Sequence, residues 1–403
     1  MPSEFAQHWT LDPAIAFLNH GSYGAAPRPV LAAQQAWRDR MEAEPVRFFS
    51  HELEPALDDA RAALGAFVGA DPDDLAFVPN ATAAANTVLR SLQFEPGDEL
   101  LTTDHAYNAV KNAMEYVAER DGASVVIAAL PFPGTSPALA RDAVLAAVTP
   151  NTRLAVLDHI TSATALILPI VELVAELTDR GVETLVDGAH APGQVALAVP
   201  AIGATYYAAN LHKWACAPKG SGFLWVRPDR KAAIRPLAIS HGANSPRRER
   251  SRFRLEFDWT GTSDPSAYLA VTDAIRFGEG LLPGGWAALR ARNHVLAIAG
   301  RDLLCAALGI DLPAPDGMIG TMASVPLPIE RSPGQVQGVD LYGDPLHDHL
   351  ASLGMQVMVT PWPQRPDDGP WRRLVRISAA AYNDLEQFQR LADALPSAVA
   401  ALA

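Results

Sequence analysis

The chain has 403 residues, 49% of them hydrophobic, and a formal net charge of −13. This is enough apolar sequence for a large core divided between two domains, and the acidic balance argues against nucleic acid or an anionic membrane as the main partner. Two cysteines, Cys216 and Cys305, are too few for a disulfide framework.

In chain order, residues Met1 to His8 lack the basic and apolar regions of a signal peptide. The longest apolar stretch, around Leu154 to Leu177, is interrupted by Asp158, His159, Pro169 and Glu172, so no membrane span and a cytoplasmic location are expected. Leu75–Val78, Glu99–Thr102, Ser124–Ile127, Arg153–Leu157, Thr184–Val186 and Ala204–Ala209 read as strands. Asn108 to Arg120, Ser136 to Val148 and Pro169 to Arg180 have helical spacing between them. This alternation predicts an α/β fold with a mostly parallel central sheet covered by helices, and ligands beyond the carboxyl ends of its strands. After Thr262 the pattern changes: helices near Ser266 to Gly278 and Trp286 to Leu308 precede strands near Thr321 to Leu327, Gln356 to Thr360 and Leu374 to Ser378, then a last helix from about Asn383. Pro313 to Pro315 and Pro361 to Pro370 read as loops. The expected division is an N-terminal arm over 1–19 that joins a small α+β domain at 264–403, with a large domain at 20–263 between them.

The run Val186-Asp187-Gly188-Ala189-His190 followed by Asn210-Leu211-His212-Lys213-Trp214 carries the chemistry. A carboxylate at a strand end and a lysine just past the next strand are what pyridoxal phosphate (PLP) requires. The carboxylate keeps the ring nitrogen protonated, and the amine forms the Schiff base. A lone strand-end aspartate is usually a turn residue and a lone lysine is usually solvated. Lys213, however, lies between His212 and the apolar-rich Trp214–Pro218, a poor setting for a casually exposed ammonium. Farther upstream, Asn80-Ala81-Thr82 stands where a strand ends and an alanine-rich helix begins. Free amides and the helix dipole there would face an anion, with the Thr82 hydroxyl added.

Taken with Phe17–Gly24, Glu44–Phe49, Asp104-His105, Gly261-Thr262, Val375–Ser378 and Tyr382-Asn383, these runs resemble the class V aminotransferase family of fold-type-I PLP enzymes, in its isopenicillin N epimerase-like branch, over nearly the whole chain. The resemblance implies that Ala81, Thr82, Asn210 and His212 bind the phosphate, with Asn210 standing where relatives often have serine. It implies that His105 stacks on the cofactor ring, and that His190 with Ser162 or Thr164 approaches the phenolic oxygen. Thr262 would reach the phosphate of a partner subunit, making the active species a homodimer. Lys213, Asp187 and His105 form the implied catalytic set. Arg376 would hold the α-carboxylate of a small amino-acid-derived substrate, and Asn19, Tyr23 and Arg47 would touch that substrate. The arginine run Arg247, Arg248, Arg250, Arg252 and Arg254 reads as a solvated, mobile loop rather than a magnet for acidic substrates.

Rival motifs are weak. Lys219–Gly222 lacks Walker A spacing, no Gly-x-Ser-x-Gly elbow occurs, and His347-Asp348-His349 has histidines that diverge on a helix, so no metal is expected. The resemblance admits epimerisation, β-elimination, desulfuration and decarboxylating outcomes. Desulfuration needs a nucleophilic cysteine, and none lies between Ser332 and Asp344 or anywhere after Cys305. Epimerisation needs a second acid/base, for which Tyr23, Tyr107 and His105 are candidates, whereas β-elimination can run with Lys213 alone. The reading is therefore carbon-sulfur β-elimination of a cysteine conjugate, with an epimerase or a decarboxylating PLP reaction as the alternative. A non-enzymatic regulator is disfavoured because the lysine and the aspartate are both present.

Overall fold

The computed structural model describes residues 3–331, 342–363 and 371–402. Residues 364–370 of the loop expected over Pro361 to Pro370 lie outside the described residues, whereas Pro361 and Trp362 belong to a strand rather than a loop, because they continue its antiparallel pairing. The strands in chain order are β1 Ala16–Phe17, β2 Leu75–Val78, β3 Glu99–Thr103, β4 Ser124–Ala128, β5 Thr152–Asp158, β6 Glu183–Asp187, β7 Tyr206–Asn210, β8 Gly222–Val226, β9 Met322–Arg331, β10 Met355–Gln356, β11 Met358–Trp362 and β12 Trp371–Ser378.

Seven of these form one sheet in the order β2-β8-β7-β6-β5-β3-β4. Its strands run parallel except β8, which is antiparallel to both of its neighbours. Alternate side chains along each central strand enter opposite layers, as the two-residue strand period demands. Leu154, Val156, Leu185, Tyr206 and Ala208 pack with the helices Ala81–Ser91 and Asn108–Asp121. Ala155, Leu157, Val186, Tyr207 and Ala209 pack with Leu53–Val68, Pro137–Ala146 and Ile170–Asp179. Cover on both faces explains why β2, β7 and β8 are buried at every position rather than alternating with solvent.

The expected parallel α/β sheet is present, and it contains one strand, β8, that the periodicity did not single out. Gly222 opens the strand because a Cβ there would sit 2.6 Å from the Ala209 carbonyl oxygen, so the residue that suggests a turn is needed for close strand pairing. The helix expected over 266–278 is two helices, Ser266–Leu269 and Val271–Leu281.

A second, antiparallel sheet has the order β11-β12-β9. Helices Gly285–Leu308 and Leu385–Ala401 cover it, with Leu304, Phe388 and Leu391 in one core with Val325, Val375 and Ile377. The N-terminal segment is stitched to this part of the chain. β1 pairs in parallel with β10, and the Ser378 amide donates to the Leu18 carbonyl at 2.8 Å.

The arginine run is not a solvated loop. Arg247 and Arg250 pair with Glu54, Arg250 and Arg254 with Asp58, Arg254 also with Asp73 and Asp258, and Arg252 with Glu256. Glu54 and Asp58 are spaced one turn apart on helix Leu53–Val68, so they offer one acidic face to an arginine-rich segment about 190 residues away in sequence, a separation that local charge patterning cannot register. At the centre Arg61, 1% exposed, binds Asp258 and Asp58. Burial raises the Asp258 carboxyl and lowers the Arg61 guanidinium from their ordinary values, so each needs the other to remain charged. Asp258→Ala is expected to destabilise the fold by about 3 to 5 kcal/mol by leaving Arg61 buried without its closest partner, whereas Arg61→Leu with Asp258→Leu restores much of the loss. Chemical denaturation checks both, and an Asp258→Ala midpoint equal to wild type would show that the network does not hold the helix in place.

Candidate active site

Strands β5, β6 and β7 end at Asp158, Asp187 and Asn210, so three polar residues stand along one carboxyl edge of the sheet. Past Asn210 the backbone turns tightly: the Leu211 amide donates to Ser221 at 3.0 Å and the Cys216 amide to Lys213 at 3.0 Å. Two glycines let other segments lie against this turn. A Cβ on Gly24 would sit 2.1 Å from the His212 carbonyl oxygen, and one on Gly193 would sit 2.3 Å from that of Trp214; both glycines also have positive φ. The carbonyl of Lys213 accepts from Nε2 of His20 at 2.9 Å. Because a carbonyl only accepts, the His20 proton is on Nε2, and Nδ1 accepts from the Tyr382 hydroxyl at 2.7 Å. Burial pushes the His20 pKa down to about 4, so the ring is a neutral strut between Tyr382 and the backbone of Lys213.

The amine of Lys213 is 3.1 Å from Nε2 of His190. Burial, reinforced by Arg376, lowers its pKa to about 7, while Asp187 and Asp158 oppose that shift. Asp187 accepts from the Ala189 amide at 2.9 Å, and burial raises its carboxyl above the usual range. Directly opposite in strand register is Asp158, also buried, which burial and the neighbouring Asp187 raise still further. Two adjacent buried carboxyls do not both ionise readily; Lys111 and backbone amides favour the charge on Asp158 as Lys213 and the Ala189 amide do on Asp187, yet Asp158 is raised the further of the two. Behind them the Tyr207 hydroxyl and Nδ1 of His159 are 2.9 Å apart, and Gly188 leaves room for the Tyr207 ring, which a Cβ there would meet at 2.3 Å.

Arg376, on β12, is 1% exposed and comes to the same place. Its Nη1 donates to the Ser162 carbonyl at 2.7 Å, and its Nη2 to the Ser22 hydroxyl at 2.8 Å and Oδ1 of Asn19 at 3.4 Å. No carboxylate pairs with it among the described residues, burial lowers its pKa to about 10, and its Nε is buried without a partner. A buried guanidinium with an unspent N–H and no counter-ion is built for an anionic ligand. Tyr23 and Tyr342 lie beside it with ring centroids 5.9 Å apart, and the Asn19 side-chain amide donates to the Tyr342 hydroxyl at 3.3 Å. Tyr107, half-buried, is within electrostatic reach of both Asp187 and Arg376.

A separate polar cluster forms where helix Ala81–Ser91 begins. Asn80 caps it by accepting from the Ala83 amide at 2.8 Å, and Oδ1 of Asn210 accepts from the Ala81 amide at 2.8 Å. That bond uses the Ala81 N–H but leaves the Asn210 side-chain NH2 available. His212 donates from Nδ1 to the Ser221 carbonyl at 2.9 Å, leaving its Nε2 unspent, and Thr82 stands in the first helical turn.

The remaining expected residues are placed differently. His105 is fully buried, with Nδ1 2.7 Å from Thr164 Oγ1, Nε2 3.2 Å from the Leu130 carbonyl, and its ring edge-on to Trp362 at 4.4 Å. Burial lowers its pKa to about 4, so its 3.8 Å approach to Asp104 is not an ion pair. With both nitrogens spent and no exposed face, His105 is packed within the wall, and Tyr107, two residues on, is the aromatic side chain that faces Asp187. Thr164 is taken up by His105 and Thr161, leaving Ser162 as the member of that pair next to Arg376. Arg47 is exposed and paired with Glu52 and Glu44. Thr262 is exposed. Neither is brought to Lys213 within one chain. Sequence reasoning missed Asp158, read only as an interruption of an apolar run, and Ser22. The signal for Asp158 was its place at the end of a predicted strand next to the strand that ends in Asp187.

The chain matches the family model described as Aminotransferase class-V over residues 17–312. It is 38% identical over 400 residues to an isopenicillin N epimerase from Amycolatopsis lactamdurans, covering 96% of each chain. It is 34% identical over 436 residues to putative L-cysteine desulfhydrase 2 from Oryza sativa subsp. japonica, covering 99% of this chain and 87% of that one. Among solved structures it superposes on a variant of C-DES with glycine covalently linked to the PLP cofactor, with a TM-score of 0.75 and 21% identity over 94% of this chain and 96% of that one. The chain therefore belongs to the class V aminotransferase family, and it is a PLP-dependent enzyme.

Proposed function

We propose that the chain is a carbon-sulfur lyase that removes the sulfur substituent of cysteine or a cysteine conjugate by β-elimination, as a cytoplasmic homodimer. The residues present fit the cofactor. Asp187 is a buried carboxylate for the ring nitrogen, Lys213 is an amine that is half neutral near pH 7, and Thr82, Asn210 and His212 surround a helix N-terminus for the phosphate. When bound, PLP supplies an electron sink that stabilises negative charge developing at Cα of an amino acid.

The protein's part is positioning and proton transfer. Arg376 takes the substrate α-carboxylate on its free Nε–H, with the long 3.4 Å contact from Nη2 to Asn19 giving way to complete the pair, which fixes the Cα–H bond relative to Lys213. Lys213 removes the Cα proton, the electron pair forms a Cα–Cβ double bond, and the Cβ–S bond breaks. The thiolate leaves with a proton from Lys213. The released enamine takes up water and yields pyruvate and ammonia, so no oxidant or reductant is consumed.

The observation that carries this reading is that, among the described residues around Lys213, one group is poised as a base. Lys213 titrates near 7, whereas burial holds the Tyr107 phenol above its ordinary value and the His190 imidazole well below its own. Elimination can use a single proton carrier; inversion at Cα requires a second on the opposite face. Neither cysteine is a sulfur acceptor, because burial raises Cys216 to about 12 and Cys305 to about 11. The name of the rice relative agrees with this reading. Epimerisation is the second reading. It is favoured by 38% identity to an epimerase and by the position of Tyr107, a phenol between Asp187 and Arg376 that would serve as the opposite-face acid.

Incubation of the holoenzyme with cysteine and cysteine conjugates in deuterated water should release pyruvate, ammonia and a thiol or sulfide in equal amounts. Deuterium incorporated at Cα with inversion and no pyruvate would favour the epimerase. Borohydride reduction followed by peptide mapping should place the pyridoxyl group on Lys213, and Lys213→Ala should abolish turnover; a label on any other lysine sinks the assignment. Arg376→Ala should lower kcat/KM by roughly 30- to 150-fold, about 2 to 3 kcal/mol, with PLP absorbance intact, and Arg376→Lys should recover only part because an ammonium lacks the planar fork. An unchanged kcat/KM, or loss of PLP as the only defect, would reject the role of Arg376.

A further inference from the structure

We propose that the indole of Trp214 controls whether Lys213 is an amine or an ammonium, acting through the ring of His190. Three nitrogens form a chain: Trp214 Nε1 is 3.4 Å from His190 Nδ1, and His190 Nε2 is 3.1 Å from Lys213 Nζ. An indole N–H can only donate, so Nδ1 of His190 must accept. His190 is buried, and Lys213, Arg376 and His212 all oppose its protonation, so the ring is neutral and its single proton is on Nε2. That N–H points at Lys213 and finds a lone pair only on a free amine; an ammonium would oppose N–H to N–H. The contact is satisfied in one protonation state alone.

The relay is rigidly mounted. Trp214 packs against the His20 ring at 4.9 Å, Gly193 admits its carbonyl and Gly21 its ring edge, and Gln194 donates to the His190 carbonyl at 2.8 Å. Of the charged groups facing Lys213, Arg376 on β12 acts in the same direction as the relay, while Asp187 on β6 and Asp158 on β5 favour the ammonium. The relay therefore offsets two carboxyls and presents the cofactor aldehyde with a nucleophile that need not first lose a proton. Without the indole donor, His190 is free to carry its proton on Nδ1. Its Nε2 then accepts from an ammonium, which raises the pKa of Lys213.

This inference rests on Lys213 being the lysine that carries PLP, and borohydride mapping decides that point separately. Full-length apoenzyme labelled with 15N-histidine should show the His190 ring protonated at Nε2 and bare at Nδ1 by long-range proton–nitrogen correlation. A wild-type ring protonated at Nδ1 while mapping still places PLP on Lys213 overturns the relay and leaves the site intact. The rate at which apoenzyme takes up PLP, followed by absorbance against pH, should rise through a midpoint near that of Lys213. Trp214→Phe should move this midpoint upward, with uptake about tenfold slower at acidic pH for each unit of displacement. In a His190→Leu background the same substitution should produce no further displacement, because an aliphatic side chain neither accepts from the indole nor donates to the amine. An unmoved midpoint in Trp214→Phe, or an equal displacement in both backgrounds, overturns the proposal. Should Trp214→Phe not fold, the wild-type tautomer alone decides it.

Discussion

Everything in the site depends on holding the backbone of one lysine against the end of a buried sheet. An amine becomes a usable nucleophile near neutral pH only when water is withdrawn from it, and withdrawing water from a flexible four-carbon side chain requires that its backbone be fixed. The His20–Tyr382 strut, the hydrogen bond from Cys216 back to Lys213, and the approach of Gly24 and Gly193 do that from three parts of the chain. Two of those parts, near residues 20 and 382, lie close to opposite ends of the sequence. The stitching of the N-terminal segment to the second sheet, through β1–β10 and the Ser378–Leu18 bond, is thus also what brings the strut to the lysine.

The same stitching assembles the carboxylate-binding end. Ser22 and Asn19 follow β1 directly, Arg376 is on β12, and Ser162 follows β5, so the guanidinium is oriented by three segments that meet only in the folded chain. Its orientation leaves the Nε–H unspent while both Nη atoms are engaged, so the free donor has a defined direction. Charge is distributed with similar economy on the other side of Lys213. Asp187 and Asp158 sit side by side in register, and burial raises both carboxyls, Asp158 further than Asp187.

Much of this was legible in the amino-acid sequence. Six central strands and three intervening helices were readable from periodicity because each is a local pattern of apolar spacing, and Asp187 and Lys213 from their chemistry at predicted strand ends. The resemblance supplied Arg376 and His190, which periodicity alone would have left as an edge-strand arginine and a loop histidine. His105 shows the limit. A histidine after a strand can face a ligand or the wall behind it, and the choice was made by Thr164, Leu130 and Trp362, which are far along the chain.

The sequence by itself determined the fold class and the family, and it singled out Asp187 and Lys213, because these rest on local patterns and on residue types. Only the tertiary structure decided which groups are neutral, which N–H of Arg376 is free, why Gly222 belongs to a strand, and that four of the five arginines between 247 and 254 are matched to acidic side chains. Each of those outcomes depends on burial and on partners remote in sequence: a pKa, a tautomer or an ion pair is a property of what surrounds a group, and the surroundings exist only after the chain has folded.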